Sequence, residues 1–278
     1  MIDTVYKYTY WDDKSEISNI IKTKTIKLNN PSAWDADYEE WTLPFDWDSI
    51  TRDQINRIVA ERATKELLAE EKLNEITLQN RIRELESKLM FYDKKNRQKI
   101  EEEEIEKLKK YVGAFCTSTT IDSLKMWEGW GLQGAGYVVS FNVKELLKNP
   151  KMNGLNKEVN YYPPEKLPKI SPLEPNDLQG IIEEFELQLF SIPEKNKIER
   201  EYRFTKINIK EGKLTPYTKE DRLVKLSNEC YKSIILGYRM PIKHEKELLE
   251  SISQNLKDIP IYKAEIEDKK VVLKEYKT

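Results

Sequence analysis

The chain has 278 residues, of which 35% are charged, 38% hydrophobic and 10% aromatic; this is enough for one large domain or two small ones, and too aromatic for a disordered chain. Lys+Arg total 47 against 49 Asp+Glu, a net charge of −2, so overall charge gives no sign of a nucleic-acid binder and leaves only a local patch open. The two cysteines, Cys116 and Cys230, are far apart and the single histidine is His244, which speaks against a zinc finger, a His-rich metal centre and a His-dependent triad, and fits buried thiols in a reducing cytoplasm.

The N-terminus, MIDTVYKYTYWDD, lacks a basic-then-apolar leader, so no secretory signal is expected, and no apolar run reaches transmembrane length. Residues 3–10 alternate around Tyr6, Tyr8 and Tyr10 and read as a short strand. Ile17, Ile20 and Ile21 give Ser15–Thr23 helical spacing, and Thr25–Asn29 reads as a second strand. Asn30-Pro31-Ser32 marks a turn into an acidic aromatic loop carrying Trp34, Asp35, Asp37, Tyr38, Glu39, Glu40 and Trp41.

Ser49–Lys110 contains neither Gly nor Pro, and its apolar residues recur at Ile55, Ile58, Val59, Ala63 and Leu67, then at Ile82, Leu85 and Leu89. That spacing predicts a long amphipathic helix with coiled-coil-like stretches. Tyr92–Arg97 turns the chain, and a second helix follows over about Gln98–Lys110. The expectation is a helical hairpin, residues 51–110, inserted in a single α+β domain spanning 1–278. Its charge run Glu101–Glu104 reads as a solvated face, with a docking arm for a partner as the functional alternative.

Strands are expected at Ala114–Thr119, Tyr137–Phe141, Glu158–Tyr162, Arg200–Ile207 and Ser233–Leu236, with helices at Val143–Leu147, Asn176–Phe190 and His244–Gln254. Pro163–Pro175 reads as an extended connector, and IPIYKAEI with KKVVLKEY as a closing hairpin.

The most distinctive stretch is Gly113–Phe141, where Met126, Trp127 and Trp130 precede a strongly apolar strand and glycines stand at 129, 131, 134 and 136. Large rings beside glycine mark a pocket wall or a tight corner; Trp127 is expected buried and Trp130 nearer a rim. Gly129–Gly134 fits GxGxxG, but a helical turn precedes it and a strand follows, the reverse of a dinucleotide-binding fold. Glu199, Glu201 and Arg203 would share one strand face, either as a solvated ion-pair ladder or as a carboxylate oriented by an arginine. Asp35, Asp37, Glu39 and Glu40 are the carboxylates a metal-dependent nuclease would use, although no lysine sits at nuclease spacing.

Taken in order, several anchors resemble the bacterial domain-of-unknown-function family numbered 2971: Tyr6-Lys7-Tyr8, Asn30-Pro31 with Trp34 and Glu39, Phe115–Ser118, Met126-Trp127, Gly136 before Tyr137–Phe141, Glu201-Tyr202-Arg203 and Ile234–Gly237. Thr9 stands where that family usually has Arg, and Asp35-Ala36-Asp37 where it has Asn-Asp-Pro. The order of motifs also looks like the ADP-ribosyltransferase plan, at the level of fold analogy. That resemblance implies a twisted sheet core, split antiparallel or mixed, with NAD as substrate and no metal. It implies Glu201 and Glu199 as the catalytic carboxylates, and Lys7, Tyr8, Ser118, Trp127 and Arg203 around NAD. The resulting expectation is a cytoplasmic enzyme, a bacterial toxin or phage-defence effector, transferring ADP-ribose to a protein or nucleic-acid acceptor, with an antitoxin or chaperone on helices 51–110 and no membrane association. The alternatives are a non-catalytic interaction module that binds through those helices, or a metal-dependent nuclease.

Overall fold

The computed structural model describes residues 2–12, 20–30, 43–87, 94–172 and 178–276. The strands in chain order are β1 (Thr4–Thr9), β2 (Thr25–Lys27), β3 (Val112–Ser118), β4 (Tyr137–Asn142), β5 (Leu155–Glu158), β6 (Asn160–Tyr162), β7 (Ser191–Pro193), β8 (Glu201–Ile207), β9 (Ile209–Lys210), β10 (Lys213–Leu214), β11 (Leu223–Lys225), β12 (Tyr231–Leu236), β13 (Ile261–Glu267) and β14 (Lys270–Glu275). The helices are α1 (Arg52–Ala69), α2 (Glu75–Ser87), α3 (Lys94–Tyr111), α4 (Leu124–Gly129), α5 (Val143–Leu147), α6 (Leu178–Phe190) and α7 (Ile242–Asn255). The fold is α+β. No described helix is long and apolar enough to cross a membrane.

The chain divides into two compact units: Met1–Trp41, Lys107–Leu167 and Leu189–Thr278 form the first, Thr42–Glu106 and Pro168–Gln188 the second. The second unit therefore differs from a 51–110 insertion: it begins at Thr42, stops at Glu106 and also takes in Pro168–Gln188.

The first unit is built on one eight-stranded sheet in the order β14-β13-β12-β4-β1-β3-β8-β5. Of the split and mixed alternatives, the mixed sheet is formed: only β12 and β13 are parallel, and α7 crosses over between them, as a parallel pair requires. The closing hairpin β13–β14 forms as its alternation predicts. The expected strand Glu158–Tyr162 instead breaks at Val159, since β5 pairs with β8 and β6 with β7.

Tyr137–Phe141 is apolar on both sides because both faces of β4 are covered. On one face Val5, Phe115, Tyr137, Val139, Phe141, Tyr202 and Phe204 join Leu248 and Ile252 of α7 in the main core. On the other, Val138 packs with Tyr8, Met126, Trp127, Ile235, Ala264 and Val271. Asn142 caps α5, its side-chain oxygen accepting from Glu145 N at 3.4 Å.

In the second unit the stripe Ile55, Val59, Ala63 and Leu67 of α1 is buried, and α1 packs on α2. Thr51 and Gln54 form a capping box at the start of α1. The expected hairpin is three helices rather than two. The break needs neither Gly nor Pro: Glu71 turns left-handed (φ 55°), and Asn74 caps α2 by accepting from Thr77 N at 2.9 Å while its own N–H donates to Thr77 Oγ1 at 3.0 Å. Lys94–Arg97, expected in the turn, already lie in α3. The acidic loop, most of the Ser15–Thr23 segment, Tyr92, residues 173–175 of the connector and the first two residues of the expected helix Asn176–Phe190 lie outside the described residues.

Candidate functional site

β1, β3 and β8 are neighbours in the sheet, and their register sets Tyr6 beside Ser118 and Ser118 beside Glu201. Cys116 stands opposite Arg203. Alternation along the strands then puts Tyr6, Tyr8, Cys116, Ser118, Glu201 and Arg203 on one face of the sheet. Lys7 is a correction to the expected set: it points to the opposite face, where its ammonium lies 5.5 Å from the Phe115 ring centroid and donates to Cys116 O at 3.0 Å.

The centre of this face is a bidentate ion pair. Arg203 Nε donates to Glu201 Oε1 at 2.8 Å and Nη2 to Oε2 at 2.9 Å. The remaining terminal nitrogen, Nη1, donates to Leu189 O at the end of α6. Arg203 is fully buried and Glu201 nearly so. This is neither a solvated ladder nor a guanidinium open to a ligand; a pair so desolvated requires the close geometry it has. Glu201 N–H also donates to Tyr161 Oη at 2.8 Å. Burial pushes the Tyr161 phenol up to about 12. The half-buried Cys116 thiol is raised well above the ordinary thiol range, first by desolvation and then by the Glu201 charge, so it is a neutral thiol and not a poised nucleophile.

Glu199 departs from its expected place. It ends a short 3-10 helix, Glu194–Glu199, and Arg200 then adopts left-handed backbone (φ 42°, ψ 53°) before β8 begins at Glu201. The reversal removes Glu199 from the face it would otherwise share with Glu201. Its carboxylate instead accepts from Trp130 Nε1 at 3.3 Å, and Trp130 is 62% exposed.

The other sequence-chosen residues turn inward. Trp127 is fully buried: its Nε1 donates to Ile121 O at 3.0 Å, and its ring meets Tyr8 edge-on at 5.3 Å between centroids. Trp127 is therefore enclosed by the protein and presents no open ring face. Tyr8 is buried with its hydroxyl donating to Thr120 O at 3.1 Å, and burial, then Asp122, raises that phenol. Ser118 donates to Glu199 O at 2.6 Å and accepts from Thr120 N at 3.1 Å. Ser118, Tyr8 and Arg203 hold the site; they do not line an open surface.

Trp130 stands immediately before a close backbone approach at Gly131. Gly129 ends α4, and a Cβ at Gly131 would strike the Trp127 backbone 2.7 Å away. Leu132 and Gln133 then take positive φ (51° and 53°) and Gly134 follows at 81°. Two consecutive non-glycine residues at positive φ are costly unless the surroundings enforce them, and such strain gathers at functional sites. Among residues the sequence did not select, Cys116 and Tyr161 belong to the cluster. Tyr161 carries no local signal, because its partner Glu201 is 40 positions away.

Among the described residues no group of three or more His, Cys, Asp or Glu side chains gathers as a cation would need. Asp35 and Asp37 lie outside them. No family model, curated protein or solved structure matches the chain.

Proposed function

We infer that the chain is an ADP-ribosyltransferase-like enzyme of the 2971 type, consuming NAD and acting on a macromolecular acceptor. The observation that carries this reading is the contact between Glu199 and the exposed Trp130, set beside the anchored Glu201–Arg203 pair. Breaking the C1′–N bond of NAD leaves the electron pair on nicotinamide and positive charge on the ribose, as in glycoside hydrolysis. A carboxylate fixed beside that carbon stabilises the charge. The acceptor's oxygen or nitrogen then bonds to C1′ and releases its proton to solvent.

Glu201 is charge-paired and buried, so Glu199 is the carboxylate this reading assigns to the reacting ribose. Trp130 offers the ring face on which nicotinamide stacks, and Arg203, Ser118 and Tyr161 keep the strand ends rigid. A cytoplasmic toxin or defence effector suits an acceptor-modifying activity, with an antitoxin or chaperone seated on the helices of the second unit. NAD should quench the fluorescence of the wild type and have little effect on Trp130→Phe. Equal quenching of both proteins overturns the assignment of Trp130.

A second reading, a non-catalytic interaction module, is favoured by one observation: Lys7, Tyr8, Ser118, Trp127 and Arg203 all bond within the protein. The helical unit also exposes Leu68, Leu73 and Ile76. Absence of NAD binding together with capture of a defined protein through α1 and α2 would establish it.

A further inference from the structure

Two consecutive peptide carbonyls carry the turn that aims Glu199. Ser118 Oγ donates to Glu199 O at 2.6 Å. Thr119 N donates to Arg200 O at 2.8 Å, and Thr119 Oγ1 reaches the same oxygen at 3.2 Å. Ser118 is itself fixed, since Thr120 N donates to its hydroxyl at 3.1 Å. The bonds from Ser118 and Thr119 come from the end of β3 and the residue after it, and they hold the carbonyls on either side of Arg200, whose backbone is left-handed.

A non-glycine residue at positive φ is disfavoured because its Cβ crowds the following carbonyl oxygen. The alternative for Arg200 is ordinary extended backbone, which would add one more step to β8. In that state Glu199 falls two residues before Glu201 on the same face, alongside the Arg203 guanidinium. In the structure Glu199 meets Trp130 and Glu201 alone holds Arg203. An extended Arg200 would put both carboxylates on the Arg203 face and take the acceptor from Trp130.

We propose that Ser118 is a positioning residue: the bond from its hydroxyl to the Glu199 carbonyl holds Arg200 left-handed, and so decides which carboxylate faces the sheet and which faces outward. This rests on the reading of Glu199 as the reacting carboxylate, but the latch can be tested without any activity.

The reporter is the Trp130 indole N–H resonance in a 15N-labelled protein, assigned by its loss in Trp130→Phe. Glu199→Gln should shift it, because a charged acceptor becomes a neutral one. In Ser118→Ala and in Arg200→Val, whose branched side chain disfavours positive φ, the resonance should leave the wild-type position and respond at least about twofold less to a further Glu199→Gln change. Adding Arg200→Gly to Ser118→Ala should restore the wild-type position, since glycine adopts positive φ without a steric cost. A resonance unmoved in both Ser118→Ala and Arg200→Val overturns the latch. So does a shift in Ser118→Ala that Arg200→Gly fails to reverse, which would indicate general loosening. A wild type that keeps the Trp130 signal but releases no nicotinamide refutes the enzyme reading and leaves the latch standing.

Discussion

Arg203 and Glu201 stand two residues apart on one strand, and the guanidinium grips both carboxylate oxygens at 2.8 and 2.9 Å in a buried bidentate pair. That relationship reassigns Glu201. Its removal leaves an uncompensated buried cation, so Glu201→Gln should destabilise the protein by about 3–5 kcal/mol. Replacing both partners by apolar residues, Glu201→Leu with Arg203→Met, should recover most of that loss. Urea unfolding of the three variants measures it. A small effect of Glu201→Gln would mean that the pair is solvated.

The two tryptophans near the glycines should behave oppositely. Trp127 is fully buried and hydrogen-bonded, whereas Trp130 is 62% exposed. Trp127→Ala should cost about 3–5 kcal/mol. Trp130→Ala should change stability by less than about 0.5 kcal/mol, as surface replacements do. Equal losses in thermal melting would contradict the assignment.

Alkaline pH should weaken the fold partly through Cys116. Its thiol is raised in the folded protein by burial and by the Glu201 charge. An unfolded thiol ionises near about 8.5. Above that pH the unfolded chain loses the proton first, so stability is complete below about 8.5 and falls as pH rises toward the folded value. Cys116→Ala should flatten that decline between pH 8.5 and 10, and alkylation of native Cys116 should be slow compared with the unfolded chain. A decline of unchanged slope in Cys116→Ala would show that other groups cause it.

The boundary of the helical unit gives a deletion test. Arg222 is buried, stacks 4.5 Å from the Tyr217 ring, and donates to Lys109 O at 3.0 Å and Val112 O at 3.1 Å, while Tyr217 N donates to Lys110 O at 2.9 Å. The last turn of α3 is therefore part of the first unit. A Gly/Ser linker replacing residues 51–106 should retain a cooperative melt, whereas one extended through Lys110 should lose several degrees more. Identical melting of the two deletions would show that the Arg222 clamp contributes nothing.

Much of the sheet was legible because its signals are local. Alternation of Tyr6, Tyr8 and Tyr10 marks β1, and the paired final segments mark the β13–β14 hairpin. Trp127 and Trp130 were separated by their neighbours, one on an apolar turn and one between glycines. The errors arose where distant partners decide. The α1–α2 break lies in a run without Gly or Pro and depends on an Asn74–Thr77 cap. Glu199 leaves the expected strand face because Ser118, 81 residues earlier, supplies the hydroxyl that bonds its carbonyl beside a left-handed Arg200. Periodicity assumes continuous strand geometry, and a single residue at positive φ cancels it.

The central claim is that Glu199, and not Glu201, is the carboxylate beside the reacting ribose. The most direct measurement is nicotinamide release from NAD, with cell extract as acceptor, by wild type and Glu199→Gln at equal folded concentration. The account predicts release by the wild type and a fall of at least about 100-fold in Glu199→Gln, the scale of losing one preorganised charge, with melting shifted by no more than a surface change allows. Release that survives in Glu199→Gln, or a wild type that releases no nicotinamide with any extract, would contradict it.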